Sequence, residues 1–163
     1  MPTNKLSPPV QFHFLVPVSF SQRTLVKEVI RDLFKKEKTR LKQLQYIFCS
    51  DEYLLQINKE HLQHNYYTDI ITFDLSDTPE AVTGEIYISV DRVKDNAQNY
   101  EVSLKQELLR VIFHGALHLC GYKDKSEKDQ VTMRKAEDKY LHYYLSKVKW
   151  AVSRGTMCLS KNR

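Results

Sequence analysis

Long apolar runs, cysteine and glycine are all scarce in this chain of 163 residues, and each scarcity narrows what it can be. The longest apolar stretch, Val111 to Cys120, is broken by two histidines and is shorter than the roughly 20 residues that a membrane span needs. Met1 to Pro9 is polar, holds several prolines and lacks an apolar centre, so a secretory signal is not expected. The three cysteines, Cys49, Cys120 and Cys158, are an odd number at unrelated spacings, which fits free thiols in a reducing compartment. Nothing suggests a solenoid or a low-complexity segment. The expectation is a soluble, cytoplasmic protein that is not bound to a membrane.

What is present is ordinary for a globular chain: 42% hydrophobic and 28% charged residues, enough for one sizeable core and too few for two. A single domain over residues 1–163 is expected, with 151–163 reading as a basic tail that composition leaves free to be disordered. The net charge of +5 is uneven, because the stretch from Gly121 onward carries 11 Lys/Arg against 5 Asp/Glu. That excess suits a polyanionic partner such as RNA. A solvated basic helix explains the charge equally well.

Hydrophobic periodicity predicts strands over Val10 to Val16, Gln45 to Ser50, Thr68 to Leu75 and Gly84 to Val90, with a hairpin connection across Ser76 to Thr83. Helices are predicted over Arg23 to Lys36, from Asp51 as cap through Ile57, and over Asp91 to Tyr100, with Glu60 to Tyr67 as loop. Ser103 and Gln106 form a capping-box signature. The helix they open is apolar nearly all round, which predicts a buried position, and Gly121 ends it. A last helix starts at Ser126 and reaches about Lys149. The fold class is α+β: a small mixed sheet of about four strands packed against helices, with a buried central helix carrying two histidines.

Chemistry concentrates in His114-Gly115-Ala116-Leu117-His118-Leu119-Cys120-Gly121-Tyr122-Lys123-Asp124. Residues four apart share a helix face, so His114 and His118 can present two imidazoles to one ion. Gly121 lets the chain reverse and can return Asp124 to the same point, giving two nitrogens and an oxygen with an open position. A histidine pair alone is weak, but two polar rings in an apolar helix need partners, and an ion supplies one to each. Gly115 lies mid-helix, where it costs about 1 kcal/mol against Ala; close backbone approach is the reason to keep it. Cys120 points away from the histidines and reads as a small buried hydrophobe.

This segment resembles the YbeY-family motif His-Gly-x-Leu-His-Leu-x-Gly-Tyr-x-His at every fixed position except the last, where Asp124 stands. Asn58 followed by Tyr67-Thr68-Asp69-Ile70-Ile71-Thr72-Phe73, and the strand Gly84-Glu85-Ile86-Tyr87-Ile88-Ser89, resemble two further blocks of the family in the same order. The resemblance implies a single-strand-directed, metal-dependent endoribonuclease of ribosomal RNA maturation and ribosome quality control, working with the small ribosomal subunit. It implies Zn2+, or another divalent transition metal, on His114, His118 and Asp124, and no nucleotide cofactor. The anionic third ligand lowers the net charge of the site and makes harder metals more competitive.

A second departure is Leu62, where the family carries an arginine for the substrate phosphate. Lys59, His61 and His64 are candidates to supply positive charge instead. Gly115 occupies the place of the glutamate in His-Glu-x-x-His peptidases, which disfavours that chemistry. Asp69 and Glu85 are candidate bases or orienting groups, and each reads equally well as a strand-end carboxylate facing water. Two rivals to the ribonuclease remain: a hydrolase of another ester or amide, and a non-catalytic RNA-binding assembly factor with a structural metal.

Overall fold

The computed structural model describes residues 8–155. Its strands are β1 (Val10–Phe14), β2 (Leu41–Cys49), β3 (Ile70–Asp74) and β4 (Val82–Ser89). Its helices are α1 (Arg23–Lys36), α2 (Asp51–Leu62), α3 (Val90–Asn99), α4 (Leu104–Leu119) and α5 (Glu127–Ser153). The sheet order is β1-β2-β4-β3, with β1, β2 and β4 parallel and β3 antiparallel to β4. The expected α+β class with a mixed four-stranded sheet is therefore what forms.

Alternation along the strands assigns the two faces of the sheet. Leu44, Tyr46, Phe48, Ile86 and Ile88 enter the main core with residues of α1, α4 and α5, while Cys49, Ile71 and Leu54 build a smaller cluster under α2. Between sheet and α5 lies α4, whose Leu108, Ile112, Phe113, Ala116 and Leu117 are fully buried. Tyr46 Oη donates to the Ile112 carbonyl at 2.8 Å, tying this helix to the middle of the sheet. Gly115 is the contact point. A Cβ there would stand 2.9 Å from the Cδ1 atoms of both Ile70 and Ile86, so glycine lets the helix lie this close without displacing those side chains.

Several boundaries differ from the sequence reading. Ser50 caps α2, its Oγ accepting from the Tyr53 amide at 3.1 Å, whereas Asp51 pairs with Arg92 at 2.7 Å. The same helix continues to Leu62, so Lys59 and His61 are helical rather than on a loop; buried Asn58 anchors the turn that follows by donating to the Tyr66 carbonyl at 2.9 Å. Strand β2 begins at Leu41 because Leu41 pairs with Val82 across a register irregularity that hides the alternation. Helix α5 continues to Ser153, placing the start of the expected 151–163 tail inside a helix; residues 156–163, with Cys158, lie outside the described residues. No helix among the described residues is long and apolar enough to cross a membrane.

Candidate metal centre

The end of α4 is built to fix a reversal. Ser103 caps the helix start, accepting from the Gln106 amide at 3.1 Å. At the other end Gly121 adopts φ +99°, and its amide donates to the His118 carbonyl at 3.0 Å while the Tyr122 amide donates to Leu117 at 3.1 Å. This paired pattern is a Schellman ending, which requires a left-handed residue and hence favours glycine. Tyr122 is then held by its hydroxyl, which donates to Glu37 Oε2 at 3.1 Å. The chain leading into Asp124 is thus anchored.

Three ligand-type atoms converge as a result. His118 Nε2 lies 3.0 Å from His114 Nε2 and 3.1 Å from Asp124 Oδ2, and His114 Nε2 lies 3.3 Å from the same oxygen. The other ring nitrogens are already engaged: His114 Nδ1 with Glu137 Oε1 at 2.7 Å, His118 Nδ1 with the Tyr122 carbonyl at 3.0 Å. A carbonyl and a carboxylate only accept, so both Nδ1 atoms are donors, and in the neutral rings both Nε2 atoms therefore turn lone pairs toward the carboxylate. Three lone pairs at this separation repel unless a cation or a proton lies among them. A tetrahedral ion with bonds of about 2.0–2.1 Å holds its ligand atoms about 3.3 Å apart, close to the spacing found. The group can hold a metal ion.

Glu137 on α5 went unseen in the sequence because a carboxylate in a charged helix looks solvated. It is only 5% exposed and also accepts from Arg110 Nη1 at 2.9 Å. Burial pushes its pKa up, but the bonds from His114 and Arg110 outweigh this and hold it below the ordinary value. For His114, burial pulls the pKa down, and the Glu137 bond with the charges of Glu137, Asp124 and Asp69 reverses the shift, leaving it raised. A carboxylate behind an imidazole fixes both the tautomer and the direction of the ring.

The three atoms open into a cavity of about 650 Å³ that also takes in Asp69, Glu107, Arg110 and Arg134. Burial raises the Asp69 pKa above its ordinary value, with His114 opposing. Of the sequence candidates for phosphate, His64 reaches this cavity, as does Leu62. His61 and Glu85 do not: strand alternation turns Glu85 to the α2 face, where both line a separate groove and Tyr87 Oη donates to Glu85 Oε2 at 2.9 Å. Lys59 is exposed on α2 and lines neither space. Two arginines that sequence reading passed over do line the cavity. Arg110 is bonded to Glu137 and paired with Asp138 and Glu107, while Arg134, its side chain 61% exposed, pairs among the described residues only with Glu137, at 3.8 Å.

The family described as Endoribonuclease YbeY matches residues 15–145 of the chain. The chain belongs to this family. A relative named Endoribonuclease YbeY from Cytophaga hutchinsonii is 54% identical over 117 residues, covering 72% of this chain and 82% of that protein. Another of the same name from Flavobacterium psychrophilum is 39% identical over 135 residues, covering 83% and 96%. A Thermotoga maritima protein whose structure was solved in solution superposes with a TM-score of 0.59 at 24% identity, over 94% of this chain and 99% of that one, and shares the fold. The YbeY match thus spans every element that builds the cavity, from α2 to the cavity-lining part of α5.

Proposed function

We propose that the chain is a metal-dependent endoribonuclease that cuts single-stranded RNA in ribosomal RNA maturation and ribosome quality control, in the cytoplasm and at the small ribosomal subunit. Membership of the YbeY family, whose relatives bear the name endoribonuclease, supports the reaction class. The observation that carries the metal is the meeting of three lone-pair donors on one point at a cavity wall. In this reading His114, His118 and Asp124 hold Zn2+, which suits two imidazole nitrogens and one carboxylate oxygen, with other divalent transition metals as competitors. When bound, the ion supplies Lewis-acid chemistry, making water a usable nucleophile near neutral pH and drawing charge from a phosphoryl oxygen.

The protein's own groups do the rest. Glu137 and the Tyr122 carbonyl keep the two rings aimed. Asp69, which lines the same cavity and has a raised pKa, is in this reading the group that accepts a proton from the attacking oxygen, from water or a ribose hydroxyl. Arg134 is the cavity cation with charge to spare for a phosphate, because Arg110 is committed to three carboxylates. His64, in the turn that follows α2, lines the same cavity.

The test is elemental analysis of the purified protein with cleavage of single-stranded RNA measured before and after chelation. One metal per chain is expected, with cutting lost on chelation and restored by Zn2+. His114→Ala should lose metal and cleavage together; undiminished cutting by a metal-free variant would overturn the reading.

A further inference from the structure

Helix α2 ends in a reversal at Gln63, which stands in the left-handed region at φ 55°. Around it alternate residues form one wall of the metal cavity: Leu62, His64 and Tyr66 line it, whereas Gln63, Asn65 and Tyr67 do not. The two rings of this wall are stacked, with centroids 5.1 Å apart and planes inclined by 22°, and Tyr66 Oη lies 2.9 Å from His64 Nδ1. A single buried side chain fixes the backbone under both. Asn58, 1% exposed, accepts from the His64 amide at 3.1 Å through its carbonyl and donates to the Tyr66 carbonyl at 2.9 Å through its amide. Tyr66 is nonetheless 56% exposed, and among the described residues its ring meets no aromatic ring or cation other than His64.

A wall of leucine, histidine and tyrosine, without a carboxylate, lysine or arginine, is matched to a flat apolar face rather than to a phosphate, for which the cavity has Arg134. Its rings are already ordered, so a ligand that stacks on them does not have to meet the entropy of fixing them. We infer that the stacked His64–Tyr66 pair is a subsite for one unpaired nucleobase of the RNA, the base face lying on Tyr66. This rests on the ribonuclease reading of the cavity. Stacking of this kind tolerates any base, since each has a π-face, and stacking strength grades them. A base inside a duplex has both faces covered by its neighbours and cannot enter. The subsite therefore supplies a selection for single strands that owes nothing to the metal.

The test is binding of two labelled strands by fluorescence anisotropy, on metal-loaded protein and on chelated protein that cannot cut. One strand is hexaadenylate; the other is an abasic ribose–phosphate hexamer, which keeps the charges and lacks the bases. Tyr66→Ala should weaken hexaadenylate by about 5- to 150-fold, the range for loss of one base stack, while Tyr66→Trp retains it. The abasic strand should bind the native protein and Tyr66→Ala alike, and the slope of log K against log salt for hexaadenylate should be the same for both, because no phosphate contact is lost. Undiminished hexaadenylate binding by Tyr66→Ala, or an equal loss on the abasic strand, would overturn the inference while leaving the nuclease reading intact. Failure of the native protein to bind or cut any RNA would remove both.

Discussion

At the scale of single residues, the decisive arrangement is Glu137 behind His114. A second-rank carboxylate of this kind orients the ligand and raises its basicity, and its loss commonly weakens metal binding by about 10- to 100-fold. Glu137→Gln should lower Zn2+ affinity by that factor in a chelator-competition titration and leave the stoichiometry at one; unchanged affinity would show that His114 needs no such support. The convergence of His114, His118 and Asp124 was legible in the sequence because i and i+4 on a helix followed by a glycine reversal is a local pattern. Glu137, Arg110 and Arg134 were not, since nothing within their own segments shows that α5 lies against α4. Glu85 illustrates the opposite failure. Its type suited a base, but the two-residue period of β4 turns it to the face away from the cavity, on the same groove as His61.

At the scale of elements, α4 is both core and site. Its approach to the sheet depends on the missing side chain at position 115, where even a methyl would meet Ile70 and Ile86 at 2.9 Å. Gly115→Val should therefore destabilise the fold by about 1–3 kcal/mol through overpacking, visible as a lower midpoint in urea, and should loosen metal binding by displacing the flanking histidines. The ends of α4 were readable from Ser103 and Gly121, and so was its burial. The length of α2 was not, because its last turn depends on what happens beyond it: Asn58 is 1% exposed and donates to a carbonyl eight residues downstream. Strand β2 was likewise read four residues short, since its first residues are specified by pairing with β4 rather than by their own alternation.

The whole molecule is held by contacts that join distant segments, and α1 to α5 offers a pH-dependent example. Tyr143 Oη donates to Asp32 Oδ2 at 2.7 Å and Lys147 Nζ lies 3.0 Å from it. Burial pushes the Asp32 pKa up, but these two groups outweigh it and leave it below the ordinary carboxylate value. A carboxylate depressed in the folded state stabilises it above the unfolded pKa, and the contribution fades as pH falls through the folded one. Asp32→Ala should cost about 1 kcal/mol at neutral pH, with the difference in unfolding midpoint shrinking toward zero in strong acid. A second molecule-wide prediction concerns charge. RNA binding should weaken with salt, and Arg134→Ala should reduce the slope of log K against log salt by about 0.7, the share of one phosphate contact on a single strand.

The central claim is that α4 and the turn leaving it gather His114, His118 and Asp124 around one ion. Zinc K-edge X-ray absorption on protein loaded with one equivalent of Zn2+ addresses it directly. The account predicts zinc–nitrogen and zinc–oxygen distances near 2.0–2.1 Å with the more distant scattering of two imidazoles, one of them lost in His118→Ala. A spectrum without imidazole scattering, or one unaltered by that substitution, would contradict it.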